Sequence, residues 1–308
     1  MKNTAKPGDW QSESRVRRET KRSPHTVKKN NEEPPLHTIK LNGQTLPAIG
    51  QGTWRMGERA SEHQAEVNAL RLGIDLGMTL IDTAEMYGEG GAEQVVGDAL
   101  QGIRDQAYLV SKLYPHNASR HGTIEACERS LRRLRTDTID LYLLHWRGQH
   151  PLEETVDAFE RLLEQGKIRR WGVSNFDLDD MHELNNPACA TNQVLYSLEQ
   201  RGVEFDLLPW CQQQAMPLMA YCPVGQGGRL LQDVTLRQIA ERRGVTPAQV
   251  ALAWLVQQGG VIAIPKAVTP AHVQANAAAL ELTLNAADLR LLDGVFPPPT
   301  RKRPLAMV

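Results

Sequence analysis

Cysteine is scarce in these 308 residues: Cys127, Cys189, Cys211 and Cys222 are the only four, and none stands at the short paired spacing of a zinc site or a redox dithiol. No metal is expected, and the four read as reduced packing residues of a cytoplasmic chain. Charge of one sign is missing as well. Lys and Arg total 35 against 36 for Asp and Glu, a net charge of −1, which argues against an electrostatic nucleic-acid binder. No run reaches the roughly 18 apolar residues of a membrane-spanning helix. A Gly-x-Gly-x-x-Gly turn opening a helix after a strand is absent too, and Gly225-Gln226-Gly227-Gly228 is only a weak look-alike.

The first 36 residues mix Lys, Arg, Glu, Asn, Ser and Pro with very few large apolar side chains. Such a segment cannot bury enough surface to offset chain entropy, so a disordered tail over 1–36 is expected, followed by one domain over 37–308. Arg17-Arg18 is followed by no apolar segment, so no export signal is read there. Beyond residue 37 the pattern becomes regular. His37 to Leu46 alternates around Asn42-Gly43, a two-residue hairpin signal. Strands are then expected near residues 48, 79, 107, 139, 169, 191, 217 and 261, with a helix after each. Ser61 is the expected N-cap of a helix reaching Leu76. One-sided faces, Ile124, Cys127, Leu131 and Leu134 and then Val156, Phe159, Leu162 and Leu163, suit helices covering a sheet. Runs such as Leu141 to Leu144 and Val261 to Ile264 suit strands buried on both faces. The count fits an α/β fold, a (β/α)8 TIM barrel, with a further helix near Leu284 to Leu292.

Three of these strands end in chemistry. Leu80-Ile81 runs into Asp82 with Tyr87 just beyond, Ala107 to Ser111 runs into Lys112, and Ile139 to Leu144 runs into His145. Successive groups stand about 30 residues apart, the length of one strand-helix-strand unit. In a parallel barrel such strands are neighbours, so Asp82, Tyr87, Lys112 and His145 are expected on one rim. Taken singly, each of these residue types after a strand is more often structural than catalytic. Their joint arrangement points to a site.

With these residues the chain resembles the aldo-keto reductase family, whose tetrad is Asp, Tyr, Lys and His in that order. The resemblance runs over about 37 to 296 and includes Gly50-Gln51-Gly52-Thr53-Trp54, Gly172-Val173-Ser174-Asn175-Phe176 and Ile264-Pro265-Lys266. Asp82 to Tyr87 and Leu207 to Gln214 look closest to the bacterial branch that includes methylglyoxal reductases. The resemblance implies that the hairpin plugs the barrel bottom. It implies NADPH as cofactor, with Ser174, Asn175 and Gln193 on the carboxamide and Tyr221 stacked on the nicotinamide. Gly52, Thr53, Trp54, Asp82, Cys222, Pro223, Val224 and Gly227 would line the same cofactor. Lys266, Thr269 and Asn276 match positions that grip the 2′-phosphate, at a barrel phosphate site where a capping Thr precedes Pro270. Ala267 and His272 stand where relatives often carry Ser and Arg. Since His lacks the fork and permanent charge of Arg, NADH is expected as a weaker alternative. Trp54, Tyr87, His145 and Trp146 would flank the substrate. Trp171, Trp210 and Trp254 read as packing residues.

Carbonyl reduction needs a hydride on carbon and a proton on oxygen. The nicotinamide supplies the first. A phenol of pKa about 10 is a slow acid near neutrality, so the expectation is that Lys112 stabilises the Tyr87 phenolate, with Asp82 as counter-charge. An uncharged His145 would orient the carbonyl. The connection from His145 to Leu152 is short, which together with the resemblance implies a shallow pocket for small aldehydes and dicarbonyls such as methylglyoxal. A monomer is expected. Two other readings stay open: an aldolase-like barrel using Lys112 as a Schiff base, and a cofactor-binding sensor with no turnover.

Overall fold

The computed structural model describes residues 37–308; the expected tail over 1–36 lies outside the described residues. The hairpin pairs β1 (Thr38–Leu41) with β2 (Gln44–Pro47), Leu41 opposite Gln44. The two residues left for the turn, Asn42 and Gly43, both have positive φ, 44° and 85°, as a right-twisted hairpin requires.

Eight parallel strands follow in sequence order: β3 (Gln51–Gly52), β4 (Leu80–Asp82), β5 (Tyr108–Leu113), β6 (Leu141–Leu144), β7 (Trp171–Ser174), β8 (Cys189–Leu195), β9 (Leu218–Tyr221) and β10 (Val261–Ala263). The sheet closes on itself, since Ile49 bridges Ala263, Gly50 N donates to Ala263 O (2.8 Å) and Gly52 N donates to Pro265 O (3.0 Å). Closure leaves no open edge. Each expected strand is present. The first, expected near residue 48, covers only Gln51–Gly52, and β5 runs on through Lys112, which therefore lies inside a strand rather than past its end.

Strand alternation decides which side chains face the barrel axis. Leu80, Tyr108, Val110, Leu141, Leu143, Ala190, Met219 and Ile262 form the interior, and Leu41 and Leu46 of the hairpin close it at one end. Two residues beyond Leu80, Val110 and Leu143 on the same face stand Asp82, Lys112 and His145. The period of two thus carries all three to the other end of the axis.

The helices wrap the outside: α1 (His63–Asp75), α2 (Gly91–Ala99), α3 (Arg120–Leu134), α4 (Leu152–Glu164), α5 (Leu178–Leu184), α6 (Leu207–Gln213), α7 (Val234–Arg243), α8 (Pro247–Val256), α9 (Pro270–Ala278) and α10 (Ala286–Val295). Two of them, α7 and α8, follow β9, where a single helix was expected. Ser61 is not an N-cap: it lies in a turn, and α1 starts after Glu62, whose backbone is already helical and whose side chain makes no cap bond. That turn carries its own backbone bonds, Glu62 N to Arg59 O and His63 N to Ala60 O, so no side chain is needed to start the helix. Trp171 and Trp254 are buried, and Trp210 packs partly buried against the core. Among the described residues no helix is long and apolar enough to cross a membrane.

Candidate active site

Lys112 is fully buried at the barrel mouth, and its ammonium has three partners: the Asp82 carboxylate (2.7 Å), the Thr83 carbonyl (2.9 Å) and the Tyr87 hydroxyl (3.1 Å). Three N–H donors meet three acceptors, which is what holds a buried charge in place. Tyr87 reaches this point because the chain leaves β4 in a tight turn, Tyr87 N bonding Ala84 O (3.1 Å). Its hydroxyl oxygen accepts from Lys112, which leaves its proton free to be donated outward. The His145 ring lies edge-on to the Tyr87 ring, centroids 5.7 Å apart. The four expected groups are therefore assembled on one rim.

Burial dominates their charge states. It raises Asp82 and lowers Lys112, while their mutual attraction opposes both shifts. Burial first, and then the Lys112 charge, hold His145 well below the ordinary imidazole value, so the ring is neutral near pH 7 as expected. Lys112 touches the Tyr87 hydroxyl, while the phenol stays protonated at rest. Burial, with the Asp82 carboxylate and Cys222 adding to it, places the phenol well above its usual range instead of making it acidic at rest.

Around this centre the strand ends supply a ring of polar groups. Thr53 Oγ1 donates to the Asp82 carbonyl (3.0 Å), and Gln193 Nε2 donates to the Asp82 carboxylate (2.7 Å). Ser174 Oγ donates to the Gln193 carbonyl (2.9 Å). Asn175 Nδ2 donates to the His145 carbonyl (3.1 Å), and its Oδ1 accepts from the Tyr221 hydroxyl (2.8 Å). Gln193 spends its amide nitrogen on Asp82, leaving its oxygen as an acceptor, and Asn175 Oδ1 keeps a second lone pair. An acceptor pair beside the Ser174 hydroxyl suits a primary carboxamide.

Cys222, Pro223, Val224 and Gly227 lie in the loop after β9; Cys222 has positive φ and its thiol is raised by burial. All four cysteines are free. Trp54 is partly buried with the Arg55 guanidinium 4.7 Å above its ring, and Trp146 packs on His145 (4.9 Å). Trp146 also lines a groove of about 340 Å³ with Pro115, His116, Gly148, Gln149 and His150. A cavity of about 760 Å³ lies apart from the tetrad, under the segment 297–306.

Beyond β10, Lys266, Thr269 and His272 are exposed, while Asn276 is buried. Thr269 occupies the N-cap position of α9, yet its hydroxyl makes no cap bond, which corrects the expected capping role. The hydroxyl thus remains available, with a basic residue three positions before it, so these residues fit an anion such as a 2′-phosphate.

Two residues of the site went unread in the sequence. Glu85 is buried, and its carboxylate accepts from Tyr114 N (2.7 Å) and Asn117 Nδ2 (2.8 Å), tying the turn after β4 to the turn after β5. A carboxylate inside an otherwise buried motif was the available signal. Tyr114 stands edge-on to Trp146 (6.0 Å) and packs at a tilt against His116 (4.7 Å), and its place just past a strand end marked it.

The family model described as aldo/keto reductase matches residues 48–296. The chain is 59% identical over 279 residues to methylglyoxal reductase YeaE of Escherichia coli, covering 88% of this chain and 98% of that protein. It is 35% identical over 265 residues to glyoxal reductase of Bacillus subtilis, covering 84% and 92%. An aldo/keto reductase of Klebsiella pneumoniae, solved in complex with NADP and acetate, superposes with a TM-score of 0.87 at 55% identity, covering 88% of this chain and 99% of that one.

Proposed function

The chain belongs to the aldo/keto reductase family, and from that premise we propose that it reduces small aldehydes and dicarbonyls of the methylglyoxal kind to alcohols with NADPH. The observation that carries this is the buried contact of Lys112 with both Asp82 and Tyr87 beside a neutral imidazole. NADPH, when bound, supplies the hydride. Ser174, Asn175 and Gln193 would hold its carboxamide, Tyr221 would pack on its ring, and Lys266, Thr269 and Asn276 would hold its phosphate end. Gly52, Thr53, Trp54 and the loop from Cys222 to Gly227 border it.

His145 keeps the substrate oxygen in place, and Trp54 and Trp146 flank the substrate. Tyr87 is fully protonated at rest and gives up its proton only as negative charge develops on that oxygen. Lys112, already touching the phenol oxygen, stabilises the charge that the transfer leaves there. The Lys112 nitrogen has all three N–H groups engaged and no exposed surface, an arrangement that disfavours a Schiff-base nucleophile, which needs a free lone pair and an open approach. All tetrad groups come from one chain, so the proposal includes a monomer working as one domain over 37–308. Four free cysteines suit the cytoplasm.

The test is a series of aldehydes of increasing size, assayed with NADPH and NADH in parallel for the protein and its Tyr87→Phe variant. Small dicarbonyls with NADPH are expected to be preferred, and the variant to lose about a hundredfold or more in turnover while still binding NADPH. Unchanged turnover in the variant, or a clear preference for bulky ketones, overturns the proposal.

A further inference from the structure

His145 presents an unusual feature for a residue that must aim a ring at a substrate: its Nδ1 is buried with no hydrogen-bond partner among the described residues. Functional imidazoles ordinarily have one nitrogen tethered, which sets both tautomer and orientation. Here the ring is aimed through its backbone instead. His145 N donates to Leu113 O (3.1 Å), and its carbonyl accepts from Asn175 Nδ2 (3.1 Å).

Asn175 is itself held at several points. Its φ is +58°, in the left-handed region that asparagine enters more readily than most residues, and its N–H bonds Gln193 O (2.8 Å). Its side-chain nitrogen also lies 3.3 Å from Ser174 Oγ. Its amide oxygen accepts from the Tyr221 hydroxyl at 2.8 Å. An amide is nearly symmetric in shape, so what decides its orientation is the sense of its partners: a donor facing Oδ1 and an acceptor facing Nδ2. Tyr221 supplies the donor, and the His145 carbonyl is the acceptor. Without the Tyr221 hydroxyl, the Oδ1 end loses the partner that marks it as the acceptor end. A flipped amide would set an oxygen against the His145 carbonyl oxygen.

We propose that the Tyr221 hydroxyl is a positioning group that acts through Asn175 on the His145 backbone, and so aims the imidazole at the carbonyl substrate. The inference rests on the reductase reading and assigns to Tyr221 a task separate from packing its ring on the nicotinamide. A single residue then serves both reactants: its ring bears on the cofactor, and its hydroxyl bears on the residue that orients the other partner.

The test is Tyr221→Phe, which keeps the ring. Its kcat with a small aldehyde is expected to fall about tenfold, in keeping with the cost of small misplacements near reacting atoms. Its NADPH dissociation constant, read by quenching of protein fluorescence, should rise by less than kcat falls, since the ring is kept and Asn175 is only one of the groups facing the carboxamide. The second arm needs no turnover. In the protein without cofactor or substrate, the His145 ring resonance, assigned by its loss in His145→Gln, should shift or broaden in Tyr221→Phe. A ring resonance left in place overturns the relay, as does weakened NADPH binding with unchanged kcat. If the unmodified protein reduces no carbonyl with NADPH, the reductase reading fails, and the resonance alone then decides the relay.

Discussion

A neutral imidazole in a buried site makes the fold sensitive to acid. His145 has its pKa lowered by burial and by the Lys112 charge, so below the ordinary value of about 6.5 the unfolded chain binds a proton that the folded one refuses. Stability contributed this way is present above that pH and is lost as pH falls through it, at up to about 1.4 kcal/mol per pH unit. Asp82 is raised by burial and acts with the opposite sign, so the difference between the protein and His145→Gln isolates the histidine. Urea unfolding at pH 7.5, 6.5 and 5.5 should show the parent losing more stability than the variant between the last two points. Equal losses would count against a buried neutral ring. At this scale the convergence of Asp82, Tyr87, Lys112 and His145 was legible from their spacing on successive strands. The resting charge of Tyr87 was not, because desolvation depends on neighbours contributed by distant segments.

Between elements, a buried carboxylate ties two helices to a strand outside the barrel. Glu93 on α2 is fully buried; its carboxylate accepts from Ser111 Oγ on β5 (2.6 Å) and from Arg133 Nε on α3 (2.6 Å). Removing one partner of such a pair leaves a charge without its counter-charge. Glu93→Ala is expected to lower unfolding free energy by about 3 kcal/mol, toward the smaller end of the range because the Arg133 side chain stays 21% exposed. A loss under about 1 kcal/mol in denaturant titration would show that Arg133 finds water or another partner. Helix positions were readable from apolar spacing, as in α3 and α4. The extra helix after β9 and the uncapped start at Glu62 were not, since α8 is buried nearly all round between α7 and α9 and so lacks a one-sided pattern.

At the scale of the molecule, the seam between the first and last strands joins the two ends of the site. Gly52 lies at that seam; a Cβ added there would stand 2.6 Å from the Ile264 carbonyl oxygen, beside the segment that carries Lys266. Gly52→Ala therefore has to push the seam apart, costing about 1–3 kcal/mol. It should also weaken NADPH binding, because β3 and the Lys266 segment move relative to each other. Calorimetry together with NADPH titration checks both effects, and a variant with unchanged stability and affinity would mean that the seam yields freely.

What this amino-acid order determined alone was periodic: the alternation of strand and helix, the Asn42-Gly43 turn, and the parity that places Asp82, Lys112 and His145 on the inward face of their strands. Those follow from local geometry, two residues per strand repeat and about 3.6 per helical turn. Closure of the barrel decided the remainder. It brought Gln193 onto Asp82 and Tyr221 onto Asn175, and it excluded the water that would otherwise set the charge of Tyr87 and His145. Contacts between residues 46 and 111 positions apart, and the solvation they remove, exist only once strands distant in sequence have come together.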